Sequence, residues 1–156
     1  EEYPRDPKPR RTPQRLHLQA LLRRVLTKYL YKENFAFAVD TNAQTYKYYS
    51  TDFAYKTKDR YGYWSWWSDW EPSRCLVSIS LDRNIINIYS DTPQEFDIYD
   101  EVGNSEDDEG TSIILRSIDA NGLRCHIKLR RQNNGILQLY IEYNDLIYVY
   151  CLEEGN

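Results

Sequence analysis

The sequence predicts a mainly β domain of the α+β class, an antiparallel meander forming a small barrel or strongly bent sheet, preceded by one N-terminal amphipathic helix. Three observations predict it. Apolar and polar residues alternate with period two through most of the chain from residue 75 onward. Turn-forming residues separate nearly every pair of such runs, at spacings too short for helical crossovers, so successive strands must be antiparallel neighbours. Tyrosine is used heavily, 15 of 156 residues, and its apolar body beside a hydroxyl suits half-buried strands and contact surfaces. The length suits one domain with its own core.

Three segments follow one another: an arm (residues 1–12), an amphipathic helix (13–33) and a β domain (34–156). The arm alternates proline with charge and offers no apolar face, so it is expected to be extended unless a partner holds it. Thr12 can cap a helix and Pro13 suits its first position. Leu18, Leu21, Leu22, Val25, Leu26 and Tyr29 then recur at helical spacing over about 13–31. Arg15, Arg23, Lys28 and Lys32 lie largely off that stripe, as a solvated face or one that binds something. Residues 35–39 read as a short strand and 44–56 as one or two β segments. Residues 60–73 concentrate all four tryptophans of the chain, Trp64, Trp66, Trp67 and Trp70.

After Pro72 strands are expected at residues 75–82, 85–90, 95–102, 111–119, 123–131, 136–143 and 146–152. Such a meander best avoids an open edge by curling into a barrel. A two-residue Asn121-Gly122 loop would set Asp119 opposite Arg124, Ile118 opposite Cys125 and Ile114 opposite Leu129. That register puts Arg116 opposite Ile127 on the apolar side, where it would be salt-bridged, displaced by a bulge or lining a pocket. Arg124, His126, Lys128 and Arg130 form a basic stripe on the other face.

The net charge of −4 hides an asymmetry: residues 1–34 carry nine cations against four acids, +5, which leaves −9 for the remainder. A basic arm on an acidic body suits docking on something negative. Residues 1–15, with Arg5, Lys8, Arg10, Arg11 and Arg15, are expected to be held by something outside their own domain, because a segment with so little apolar area cannot offset its ordering entropy. Nucleic acid enters the reading only through that arm. No apolar run is long enough for a transmembrane helix. The chain lacks methionine and is expected to be a processed product or a fragment.

No catalytic signature is present. The two histidines, His17 and His126, sit in no motif, and the glycines are isolated rather than arranged as a phosphate cradle. Cys75, Cys125 and Cys151 are widely spread and read as buried structural thiols. The acidic run Asp100, Glu101, Glu106, Asp107, Asp108 and Glu109 reads as a loop between strands without the ligand spacing of a calcium loop. No metal and no cofactor are expected. A carboxylate pair in a barrel mouth, such as Asp97 with Glu142, would be the route to a hydrolase.

The tryptophan cluster is the candidate site. Strict alternation puts Trp64 and Trp66 on one face and Trp67 on the other, so with Trp70 the four read either as a plug at one barrel end or as a contact surface with Tyr61 and Tyr63.

The segments WWSDWEP (66–72), INIYS (86–90), FDIY (96–99), NGLRC (121–125) and QLYIEYND (138–145) resemble small β-rich proteins of unknown function from gut Bacteroidota and their phages. The resemblance spans residues 44–151 and implies no activity. Members often follow a secretion signal, and the Asn42-Ala43-Gln44 junction resembles the start of such a mature chain, so a secreted, cell-envelope or virion-associated location is expected ahead of a cytoplasmic one. The functional expectation is a non-enzymatic protein-binding or assembly module, with protein partner or self-association through the aromatic surface and the arm as tether. A carbohydrate-binding tryptophan platform comes second and the hydrolase third.

Overall fold

The computed structural model describes residues 45–80 and 82–155. The expected arm, helix and strand at 35–39 lie outside the described residues. The rest is an antiparallel eight-stranded barrel with one short extra strand. In chain order the strands are β1 (Thr45–Thr57), β2 (Glu71–Pro72), β3 (Leu76–Ser80), β4 (Ile85–Tyr89), β5 (Gln94–Asp107), β6 (Gly110–Asp119), β7 (Arg124–Gln132), β8 (Leu137–Glu142) and β9 (Leu146–Glu154). From β3 to β9 each pairs with the next, β1 pairs with β3, and β9 returns to β1 to close the sheet. Closure gives each of the eight barrel strands two neighbours, which is how an up-and-down meander removes its edges.

The interior follows from the period-two pattern. Cross-strand rows such as Ile113–Leu129–Leu139–Tyr150–Phe53 and Leu115–Ile127–Ile141–Tyr148 run around the wall. With Val77, Ile79, Ile86, Ile88, Phe96 and Ile98 they fill the centre. An eight-stranded barrel is just wide enough for side chains to fill it, and here they do. Two interior phenols share one partner: the Tyr148 hydroxyl donates to Gln94 Oε1, and Gln94 Nε2 donates to the Tyr150 hydroxyl at 3.3 Å. Of the three free cysteines, Cys125 is buried, and burial pushes its thiol up to about 12 despite the Ser117 hydroxyl at 3.0 Å. Cys75 and Cys151 are only half-buried.

Two expectations need correction. The acidic run is not a loop: β5 runs past its expected end at 102 to Asp107, so Glu106 and Asp107 join Asp100 and Glu101 as strand residues in a hairpin whose turn is at 108–109. The β6–β7 register is also displaced by one residue. Ile118 pairs with Arg124, Ser117 with Cys125 and Arg116 with His126, so Arg116 is outward and lines no interior pocket. The cause is the turn. Asn121 does not take the positive φ that a two-residue loop on Asn-Gly demands; only Gly122 does, at 82°. The loop therefore has three residues, Ala120, Asn121 and Gly122, with Gly122 N–H on the Asp119 carbonyl and Asp119 N–H on the Leu123 carbonyl. The Asp119 carboxylate fixes it, with Oδ1 accepting from the Asn121 and Leu123 N–H groups, both at 2.9 Å.

The same backbone design recurs at residues 59–63 and 132–136, each with a positive-φ glycine in fourth place, Gly62 and Gly135. Asp59 repeats the carboxylate cap on Tyr61 and Tyr63. Asp119 differs in being buried and in also accepting the Tyr143 hydroxyl at 2.7 Å. Asp119→Ala leaves three donors without their acceptor, one of them a half-buried phenol, and should cost about 3 kcal/mol, whereas the exposed Asp59→Ala should cost about 1 kcal/mol or less. Urea unfolding of the two variants beside the parent checks the difference.

Candidate aromatic contact site

β1 is longer than the strand beside it. β3 pairs only with Thr45 to Tyr49, and the second half of β1 would present an open edge on that side. Residues 58–73 close it. The chain turns at 59–63, Trp64 bridges back to Lys58, and the return passes along β1 to the two-residue pairing of β2 with Asp52 and Phe53.

The return does not run as a regular strand. Ser65 N–H donates to the Thr57 carbonyl at 2.7 Å, and the Thr57 N–H donates to the Ser65 hydroxyl at 3.0 Å. Ser68 repeats this on Tyr55, at 2.7 and 2.9 Å. Each hydroxyl then donates to the carbonyl of the following residue, Trp66 and Asp69. A serine side chain thus stands where a strand would offer its own carbonyl. Three residues of the return are spent for every two of β1. Trp64-Ser65-Trp66 and Trp67-Ser68-Asp69 are successive copies of one unit, with Trp70 beginning a third position.

That period of three brings Trp64 and Trp67 to the outer side of β1, against its outward lysines. Lys56 Nζ lies 5.4 Å from the Trp64 ring centroid and 4.9 Å from that of Trp67, and Lys58 Nζ lies 4.9 Å from Trp64. Trp67 meets the ring of Tyr140 edge-on at 6.2 Å, and Lys128 Nζ sits 4.1 Å from Tyr140. The result is a ladder of cations and aromatic rings across the outside of β1, β8 and β7. It covers Ala54 and Val149, which occupy outward positions between those rungs yet are only 2% exposed.

None of the four tryptophans enters the barrel core, so they form no plug. Trp66, third in its unit, is 95% exposed; Tyr61 and Tyr63, on the turn, are 71% and 73% exposed; Trp70 is exposed as well. These four rings make the open part of the site, and Trp64 and Trp67 its anchored part.

The other predicted residues fall elsewhere. Arg5, Lys8, Arg10, Arg11 and Arg15 lie outside the described residues. Arg116 Nη1 pairs with Asp100 Oδ2 at 2.6 Å on the outer face. Asp97 and Glu142 both occupy outward positions, on β5 and β8, with β6 and β7 between them, so they do not converge in a barrel mouth. The basic stripe is engaged within the chain: Lys128 on Tyr140, Arg130 on Asp107, and Arg124 and His126 also with partners. Among the described residues no group of three or more His, Cys, Asp or Glu could hold a metal ion.

Arg130 grips Asp107 through two bonds of 3.0 and 3.1 Å, which together with the Glu109 and Gly110 N–H groups holds the carboxyl down at about 2. A depressed value means that the pair supports the fold fully above the ordinary 3.8 and is lost as pH falls through about 2. A carboxyl-carbon NMR titration should show that midpoint for Asp107, returning most of the way toward 3.8 in Arg130→Ala.

Because every tryptophan of the chain lies in this segment, intrinsic emission reports on it alone. Lys56→Gln removes two of the ladder's contacts and should cost about 1 kcal/mol while shifting the emission maximum to the red; fluorescence-detected unfolding reads both. No family model, curated protein or solved structure matches the chain, so the chemistry of this surface is the ground on which a function can be argued.

Proposed function

We propose that the domain is a non-enzymatic binding module that engages a protein partner through Tyr61, Tyr63, Trp66 and Trp70. The observation that carries this reading is Trp66. A tryptophan 95% exposed leaves its whole apolar surface in water, and the backbone around it is pinned by Ser65 and Ser68 rather than left to fold the ring inward. Large rings held open on a fixed backbone are the anchors that concentrate binding energy at protein interfaces, because little conformational freedom is lost on docking. The packed interior argues in the same direction, since the binding chemistry then falls to the outside of the barrel.

A sugar platform would use ring faces laid side by side. Lys56 and Lys58 already stand over the faces of Trp64 and Trp67, which favours the protein reading. Trp66→Ala should leave the melting temperature unchanged and weaken partner binding about 30-fold, the loss of one strong anchor. The measurement is affinity capture from the native source followed by titration of the captured protein against parent and variant. A strict monomer that captures no protein but gives Trp66-dependent hits on a glycan array would overturn the proposal in favour of the sugar platform.

A further inference from the structure

The open rings are flanked by unneutralised acid. Asp69 and Glu71 are exposed, flank Trp70 in sequence, and have no ion-pair partner among the described residues. Asp59, at the turn, spends one carboxylate oxygen on two backbone N–H groups. The nearby cations are turned onto rings, Lys56 and Lys58 onto Trp64 and Trp67 and the exposed Arg60 onto Tyr61. What faces solvent around Trp66 and Trp70 is therefore aromatic and anionic. Nucleic acid and acidic glycans, which need aromatic rings beside free cations, are poorly matched to it. A ligand that offers rings or flat apolar edges together with positive charge is well matched.

Proline-rich basic segments have that chemistry. In the polyproline II conformation the chain is already extended, with three residues per turn, and it docks on exposed aromatic rings at low entropic cost. The chain carries one such segment itself. In residues 3–11, YPRDPKPRR, a three-fold repeat sets Arg5, Lys8 and Arg11 along one edge and Pro4 and Pro7 along the next. One edge is wholly cationic, and its neighbour is apolar at Pro4 and Pro7 before it ends in Arg10. The charge partition agrees, +5 in residues 1–34 against −9 in the remainder.

We propose that residues 3–11 of this chain, from the same or a neighbouring copy, are a ligand of this surface. Pro4 and Pro7 would lie against Trp66, Tyr63 and Trp70, with Arg5, Lys8 and Arg11 toward Asp69 and Glu71. The inference rests on the reading of the loop as a protein-binding surface and names its occupant.

The test uses the full chain and its four reporter tryptophans. In low salt, acrylamide quenching of their emission is compared for the parent, for Arg5→Glu/Lys8→Glu/Arg11→Glu, for Asp69→Lys/Glu71→Lys, and for the variant combining both sets. Quenching should rise in each reversal and return to the parent value in the combination. In the parent it should rise in 1 M salt, where charges are screened beyond about 3 Å. Circular dichroism confirms that the barrel is intact, and the arm reversal, which touches no barrel residue, carries the test if Asp69→Lys/Glu71→Lys fails to fold. Unchanged quenching in the arm reversal, or a combination that does not restore the parent value, overturns the inference. If quenching is unchanged while Trp66→Ala still loses captured partners, only the occupant was wrong; if Trp66→Ala loses nothing as well, the binding reading falls with it.

Discussion

The barrel depends on β1 having more backbone than β3 can pair. β9 runs along nearly the whole of β1, and that contact closes the sheet. On the other side β3 stops at Tyr49, leaving the backbone groups of Thr51 to Thr57 to be satisfied by something else. Unpaired amide and carbonyl groups at a sheet edge are both costly and an invitation to foreign strands. The solution is the return of residues 64–73, and its particular form, hydroxyls of Ser65 and Ser68 in place of carbonyls, dictates where the tryptophans stand. The aromatic surface is thus the visible side of an edge-sealing device.

The same economy governs the charges. The outward cations of the β domain are largely committed: Arg116 to Asp100, Arg130 to Asp107, Lys128 to Tyr140, Lys56 and Lys58 to the indoles. Exposed pairs of this kind add little stability singly. Their effect is on the character of the surface. With the cations drawn against rings and carboxylates, the loop presents aromatic area edged by acid, which sets the kind of partner it can accept.

How much of this was readable in the sequence depended on the reach of the interactions. Alternation and turn residues were enough for the antiparallel meander and its closure, because period-two burial and short loops leave few other topologies. The register of β6 and β7 differs from the expected one because Asn121-Gly122 is only part of the loop. The deciding residue was Asp119, whose carboxylate lengthens the turn by one residue and so moves Arg116 outside. Asp59-Arg60-Tyr61-Gly62 repeats that spacing and would have exposed the pattern. In the tryptophan segment the cluster was visible but its order was not. The strand period of two does not apply there, since the repeat is Trp-Ser-x, and the lysines that hold the rings lie elsewhere in the sequence, at 56 and 58. That Asp97 and Glu142 sit outside follows from parity, once the neighbours Phe96, Ile98 and Ile141 are known to point in.

The mismatch of three residues against two has a consequence for how such a surface can vary. A loop tethered only at its ends can lengthen by any number of residues. This return is tethered at every serine, so one residue inserted between Ser65 and Ser68 would break the match to Thr57 and Tyr55. A whole Trp-Ser-x unit, in contrast, could be added together with two residues of β1 and two of β9, keeping every backbone bond and lengthening the row of indoles by one. The surface can therefore grow or shrink only in whole steps, each adding one ring to the row, much as a comb changes by teeth and not by fractions of a tooth.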